Sequence, residues 1–489
     1  MPIKVTLEPA ATDLLLQGDT EATLTVTNIG DATVRVPNPD MNQDIPAFRV
    51  VEAKTGIEFY RRLEAPAQGP ILVELPPGKS LSKRFSLMPG LHLHVPGEFL
   101  VHARYFYNSG LSVAESEPVK ITLRPITPRS LSTVYVQGGF SFVKCGVSIN
   151  AISDPPRLVR HVFSIMSEGG ASNAQEIGVC EAIDVPDISA PPNRSVSYEH
   201  WITVRRGGKF LFHHVNAAGE ATKPVAFDPP PNTILVTPTS ITPSEVDTAR
   251  GAGRALIWSP VPGRGGTFTT LALNPDARPA PGPSMETTAR TLLWCMAAER
   301  TPSATIPHVV VYAQPADSGR FALMSAPWPD RAPGGAVARP VGEITGELLG
   351  SDLFLDAEET IHGASLVLSE PRKSRALRLV RWRVYPDGRG EVGPEHGIPW
   401  PYSHPILKVL VRVGPGGVPA ALIAGTDGMW SMFEPLAGLI KLPAAVGPVG
   451  PAIDLGFQAE SSPVIICGRQ AIGYDIIQPD GRPLPHFCG

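Results

Sequence analysis

The chain has 489 residues, more than one hydrophobic core ordinarily organises, which points to roughly two to four domains or a repeat array with an extra domain. Hydrophobic residues make up 43% and charged residues 18%, which excludes a disordered chain, while 54 prolines and 47 glycines interrupt it too often for long helices. With 42 basic and 46 acidic side chains the net charge is −4, so no overall field draws the chain to nucleic acid or to an anionic membrane, and neither is the expected partner.

The opening MPIKVTLEPAATDLLLQGD has one lysine, no long apolar core and no small-residue cleavage site, so it does not read as a signal peptide. No stretch is long and apolar enough to span a bilayer. The five cysteines, at 145, 180, 295, 467 and 488, show no CxxC spacing, and their odd number leaves one unpaired within a monomer. Reduced thiols in a cytoplasmic protein are the expectation.

Residues 1–125 read as a series of short strands. In ATLTVTNIGDATVRV (22–36) Leu24 and Val26 face one way and Thr23, Thr25 and Thr27 the other, and Asn28 to Asp31 supply turn chemistry that predicts a hairpin. AFRVVEAKTGIEFYR predicts a second hairpin about Lys54-Thr55-Gly56. LPPGKSLSKRFSL and VPGEFLVHARYFY each place Pro-Gly before an alternating strand, and VKITLRP closes the series. About seven strands in this length describe an antiparallel sandwich. TVTNIGDATVRV, LPPGKSLSKRFSL and PGEFLVHARYFY resemble successive strands of bacterial immunoglobulin-like domains of the CARDB or proteinase-inhibitor-like kind, over roughly the first quarter of the chain. That resemblance implies an immunoglobulin-like sandwich used for binding or presentation, with Tyr105 or Tyr107 as its corner tyrosine.

ITPRSLS (126–132) is a polar, proline-containing linker, and residues 133–489 follow as a second region. Proline-rich breaks recur there at 186–193, 228–232, 275–283, 326–335, 393–401 and 443–451, separated by about forty to sixty residues, the spacing of propeller blades. RALIW (254–258) and RTLLW (290–294) repeat nearly letter for letter, and SLVLSEP (365–371) and PVIICGR (463–469) read as further inner strands. HVVVYAQPADSGRFALM (308–324), RWRVYPDGRGEVG (381–393) and YDIIQPDGRPLP (474–485) read as strand, turn and strand. ETTARTLLWCMAAER (286–300) also fits a helix, but its likeness to RALIW favours a strand. Units of three or four strands cannot bury both faces alone, so the expected fold is all-β: the sandwich followed by a β-propeller-like domain of five to seven blades. No WD, kelch or calcium-binding repeat signature is present.

Candidate sites are few. His92 and His94 in LHLHV share a strand face, but no third ligand is spaced for a metal, so no metal is expected. His213 and His214 face opposite ways. Asp352, Asp356, Glu358 and Glu359 in SDLFLDAEET read as an acidic turn and a solvated strand end. Arg372, Lys373, Arg375, Arg378, Arg381, Arg383 and Arg389 interleave with Trp382 and Tyr385, but strand alternation splits them between two faces, so solvated positions and inter-blade ion pairs are expected. Glu395, His396, Trp400, Tyr402 and His404 fall in GPEHGIPWPYSHP, a proline-stiffened aromatic loop and the most site-like cluster of the chain. No GxSxG, HExxH, phosphate loop or dinucleotide fingerprint occurs, and no cofactor is called for. The expected function is therefore a non-catalytic binding or scaffolding protein with a protein partner, contacted through Trp400, Tyr402, His404 and Glu395 and secondly through the basic strip with Arg381 and Arg383; a subunit role in a larger assembly fits the same features. The alternative is a propeller hydrolase or lyase acting on a sugar or lactone, which requires Asp352, Asp356, Glu395 and His404 to converge.

Overall fold

A computed structural model describes residues 2–484 apart from 42–45, 60–70, 92, 94, 108–111, 139–140, 167–168, 189–199, 217–219, 241–252, 299–308, 318, 330–336, 357, 370–375, 401–404, 427, 444–445, 447–452, 459–461 and 470–472. Alternating apolar residues in the first 124 positions build two facing sheets. One orders Ile3–Pro9, Glu21–Asn28 and Ser80–Ser86; the other orders Asp13–Leu15, Val119–Arg124, Gly97–Tyr107, Ala47–Glu52 and Glu58–Phe59. Ile3, Val5, Leu24 and Val26 from the first sheet meet Phe99, Val101, Ile121 and Leu123 from the second in one core. The alternation read at Leu24 and Val26 is observed, and so is the pairing of Ala47–Glu52 with Glu58–Phe59. The hairpin expected over 22–36 does not form: Val34–Pro37 leaves the sheet and pairs with Leu72–Leu75 instead. The reason lies in Asn28, whose buried side-chain amide donates to the carbonyls of Ala32 and Leu75 at 2.8 Å and turns the chain away. Tyr105 is buried and its hydroxyl donates to the Pro37 carbonyl.

From Ser132 onward the chain forms seven successive antiparallel meanders among the described residues, spanning 132–179, 185–227, 234–287, 294–345, 347–398, 406–441 and 453–477, and a parallel bridge between Thr237 and Met296 joins the third and fourth into one eight-stranded sheet. We number them blades 1 to 7. The first six have four strands in simple meander order and the seventh has three. The first strand of each blade touches the first strand of the next, from Ser132–Gly138 through to Ile453–Phe457, which puts these strands at the centre of a β-propeller. Seven apolar clusters each span two neighbouring blades, and the last joins Val464, Ile466 and Tyr474 of blade 7 to Phe163 and Ile165 of blade 1, closing the ring.

This arrangement explains a pattern that ordinary alternation does not. In Ala376–Val384, Val380, Trp382 and Val384 pack toward blade 4 while Leu377 and Leu379 pack toward blade 6, so both faces of the strand are buried. His213 and His214 are both buried for the same reason.

Several sequence expectations are corrected. The proline-rich stretch 275–283 is not a break, because Ala277–Thr287 is a strand whose prolines sit on a largely exposed blade edge where no ladder donor is missed. The break at 326–335 likewise lies inside blade 4. RALIW and RTLLW are not equivalent units: the first lies in the second strand of blade 3, while only the tryptophan of the second belongs to a strand, Trp294–Ala298, the first of blade 4. SLVLSEP and PVIICGR fall largely in the second strands of blades 5 and 7, each flanked by a strand on both sides.

Blade 7 lacks a continuous fourth strand among the described residues, and its open edge is covered from both ends of the chain. The Leu484 amide donates to the Ile476 carbonyl at 2.9 Å, and Pro483 bridges to Ile477. At the next positions Gln17 takes over. Its side-chain Nε2 donates to the Tyr474 carbonyl at 2.6 Å and its Oε1 accepts the Tyr474 amide at 3.1 Å, while the Ile126 carbonyl accepts the Gly473 amide at 3.1 Å. The Gln17 carbonyl accepts the Ala174 amide of blade 1 at 2.6 Å. Val159 and Ala174 of blade 1 also enter the core of the N-terminal sheets.

Candidate functional site

Charged residues on the innermost strands of blades 5, 6 and 7 and on the second strand of blade 1, Ser141–Asn150, form one buried network. Asp454, on Ile453–Phe457, is 1% exposed and sits between two cations: Lys144 Nζ lies 2.9 Å from Oδ2, and Arg412 Nε lies 2.6 Å from Oδ1. Thr133 adds a hydroxyl donor to Oδ2. Burial works to raise the Asp454 carboxyl, but Arg412, Lys144 and the Thr133 hydroxyl outweigh it and hold the group down at about 2. Burial lowers the Lys144 ammonium, with Asp454 pulling the other way.

Asp352, on Glu347–Leu355, faces the same Arg412 and Lys144 and accepts the Val413 amide at 2.8 Å. It is buried, which corrects the solvated strand end expected for it; on an innermost strand both faces are enclosed. Burial pushes its carboxyl up to about 6, against the pull of Arg412, the Val413 amide and Lys144. Because this folded value lies above the ordinary carboxylate value, the group's contribution to stability is full below about pH 4 and is lost as pH rises through about 6. Asp352→Asn is therefore expected to gain about 2 kcal/mol on the parent chain between pH 4 and pH 7. Urea unfolding at a series of pH values measures it, and parallel curves for the two proteins would rule it out.

The acidic residues do not converge. Asp356 closes a turn by accepting the Glu358 and Thr360 amides and pairs with His362 at 2.6 Å. Glu395 is on the outermost strand of blade 5, Gly390–Ile398, paired with Arg378. Glu395 and His396 thus belong to a strand and not to the expected loop. Tyr402 and His404, like His92, His94, Arg372, Lys373 and Arg375, lie outside the described residues. Among the described residues no three His, Cys, Asp or Glu side chains are grouped to hold a metal ion. The arginines interlock blades: Arg378 Nη2 donates to the Thr345 carbonyl of blade 4 at 2.6 Å, Arg381 Nη2 donates to the Gly417 carbonyl of blade 6 at 3.2 Å, and Arg383 is exposed.

Trp400 has a different setting. It packs partly buried against the core shared by blades 5 and 6 and lines a cleft of about 490 Å³ between them. Glu347 and Leu349 form one wall and Ile406 to Val409 the other, with Leu368 and Leu377 between. Both innermost strands carry a β-bulge here. The register shifts between Leu348 and Gly350 in blade 5 and between Ile406 and Lys408 in blade 6, leaving Leu349 and Leu407 as the extra residues. Leu407 is 58% exposed, and burial lowers the Lys408 amine. Sequence reading missed Lys408, Leu407 and Leu349. The available signal was PILKVLVRV, where Leu407 interrupts strict alternation ahead of a lysine flanked by apolar residues.

No family model matches the chain, and no curated protein matches it. Solved structures similar to it include a fucose-specific lectin from Aleuria aurantia, 8% identical, covering 73% of this chain and 99% of the lectin with a TM-score of 0.39. Another is BBS1N in complex with ARL6DN, 14% identical, covering 74% and 94% with a TM-score of 0.38. A third is the β-propeller domain of the Trilobed protease from Pyrococcus furiosus, 8% identical, covering 73% and 95% with a TM-score of 0.35. No helix among the described residues is long and apolar enough to cross a membrane.

Proposed function

We propose that the chain is a non-catalytic binding protein that offers the cleft between blades 5 and 6 to a protein partner. The observation that carries this reading is the pair of bulges on two adjacent innermost strands, with Leu407 exposed in the cleft that Trp400 also lines. Concave, mostly apolar surfaces with an aromatic anchor are where binding energy concentrates. The carboxylates that the hydrolase reading would bring together are instead held apart, Asp352 in an inter-blade network, Asp356 in a turn and Glu395 in an ion pair.

The finer reading of the fold belongs here as well. We take the first 125 residues as an immunoglobulin-like sandwich and 126–132 as the linker to the propeller. The parallel pairing of Asp13–Leu15 with Val119–Arg124, at the edge of a sheet facing Ile3–Pro9 and Glu21–Asn28, supports that assignment. Cys145, Cys180, Cys295 and Cys467 are free thiols, which suits the cytoplasm.

The test is capture of partners from the host with the tagged full chain, comparing the parent with Trp400→Ala, Leu407→Asp and, as a distant exposed control, Leu436→Asp. A protein held at fixed stoichiometry by the parent and the control, and lost about tenfold or more with the two cleft variants, is the expected result. Equal capture by all four would refute the role of the cleft.

A further inference from the structure

Blade 7 meets blade 1 where the ring closes, and a histidine lies inside that junction. We propose that the junction is an acid-released seam, which closes over a neutral His161 and opens when that imidazole takes up a proton. In Arg157–Met166, His161 shares its face with Phe163 and Ile165, which pack on Val464 and Ile466 of blade 7. His161 is fully buried, its ring 4.6 Å from that of Tyr474 in a T-shaped contact and 5.8 Å from that of Phe163. Its Nε2 lies 2.7 Å from Ser148 Oγ, Ser148 also bonds the Tyr474 hydroxyl, and that hydroxyl donates to the Ser130 carbonyl at 3.0 Å. The chain is complete when Nε2–H donates to Ser148, Ser148 to Tyr474 and Tyr474 to Ser130, which leaves Nδ1 as a bare lone pair. Nδ1 is buried and meets no partner among the described residues. A proton added there places a donor and a positive charge in a closed, largely apolar space.

The charged groups around the seam are already engaged with one another. Ser141–Asn150 contributes Lys144, paired with Asp454 of blade 7, and Asp454 is shared with Arg412. On the outermost strand of blade 1, Gly169–Val179, Ala174 lies opposite His161, and Glu176 is held by Arg124 at 3.0 Å and Arg157 at 3.3 Å. Gly473–Ile477 brings the Tyr474 phenol, which burial keeps protonated. His362 in blade 5 is the contrast, because its Nε2 lies 2.6 Å from Asp356 Oδ2, a carboxylate able to hold an imidazolium. Around His161 the aromatic faces return only part of the hydration that a charged ring loses. Burial accordingly pushes its imidazole down to about 3. The ordinary value is about 6.5, so the closed seam is fully favoured above about pH 7 and loses ground as pH falls through 6.5. Asp352 responds in the opposite sense, adding stability as pH falls, and so does not produce this effect.

The experiment is hydrogen exchange on the full chain at pH 7.5 and pH 5.0, each amide's rate divided by its intrinsic rate at that pH. Gln17 spans the seam, bonding Tyr474 through its side chain and Ala174 through its carbonyl, so the blades cannot part without freeing one of them. On at least one side, Ala174 or Tyr474, the opening constant is expected to rise about 30-fold between the two pH values. Amides of Ala376–Val384, in blade 5, should change less than about threefold. His161→Gln keeps a donor in the place of Nε2 without ionising, and His161→Phe keeps a neutral ring; either should hold the rise to within about twofold. His213, which burial also lowers, is unchanged in both variants and cancels in the comparison. A flat response in the parent chain overturns the proposal whatever the variants do. So does a rise that persists without His161, or one that blade 5 matches, which would be global unfolding. A His161 ring that titrates near 6.5 by NMR while Ala174 and Tyr474 stay protected overturns it as well.

Discussion

Asp454→Ala is expected to destabilise the chain by about 3–5 kcal/mol at neutral pH. The carboxylate sits between Lys144, itself 1% exposed, and Arg412, and its removal takes the ion-pair partner from a buried ammonium and leaves Asp352 as the carboxylate facing both cations. The attraction between buried ions roughly offsets their desolvation, so the pair adds little net stability, but breaking it exposes the whole desolvation cost. Two further results follow from the same physics. Lys144→Met combined with Asp454→Leu should recover part of the loss, since it replaces the buried ammonium and its carboxylate by apolar groups of similar size while Asp352 still faces Arg412. The effect should also fade in acid. Asp454 is held at about 2, below the ordinary carboxylate value, so its stabilisation is full above about pH 4 and is lost as pH falls through about 2. Equilibrium urea denaturation of parent, single and double variants measures this. A single-variant cost below about 1 kcal/mol would mean that water reaches the network.

Gln17→Ala is expected to cost about 2–4 kcal/mol, because it leaves both the amide and the carbonyl of Tyr474 without partners at the covered edge of blade 7. Tyr474 is fully buried, and its hydroxyl donates to the Ser130 carbonyl at 3.0 Å, so water cannot freely replace the lost bonds. Gln17 has a left-handed backbone, φ 65°, which glycine adopts without strain. Gln17→Gly therefore separates the two effects: it relieves the backbone but still removes the amide, and it should remain destabilising. Gly473, also left-handed at φ 94°, is held to glycine by the same contact, since a Cβ there would come within 2.6 Å of the Gln17 side-chain oxygen. Hydrogen exchange supplies the local readout. The Tyr474 amide should lose protection in Gln17→Ala while the amides of Ala376–Val384, on the far blade 5, keep theirs. Unchanged protection at Tyr474 would show that Gln17 does not hold the covered edge of blade 7.

These two effects sit on contacts that span the chain, and that separates them from what local sequence can disclose. The acidic and basic residues concerned stood in plain view: Lys144 in FVKCGV and Asp454 in AIDLG are each a charge inside an apolar strand. Such a residue signals a buried partner, but 310 positions separate the two and no spacing rule joins them. For the cleft, Trp400 was legible because prolines and aromatics crowd one short stretch. Lys408 was not, because its significance comes from the bulge that re-aims the strand carrying it and from a wall supplied by Glu347 and Leu349 of another blade.

By itself, the sequence determined the class of local structure. Period-two patterning, frequent Pro and Gly, and turn residues at Lys54-Thr55-Gly56 and Pro386-Asp387-Gly388 require short antiparallel strands, because these signals act between residues a few positions apart. Tertiary structure decided how the strands are used. It sends Val34–Pro37 to a distant partner, makes an edge strand of a proline-rich stretch and distinguishes RALIW from RTLLW by blade position. It also buries both faces of strands such as Ala376–Val384, and it brings the two ends of the chain together on blade 7. The physical reason is that pairing and enclosure depend on which strands become neighbours when the ring closes, and that is settled by burial summed over all seven interfaces rather than by any single segment.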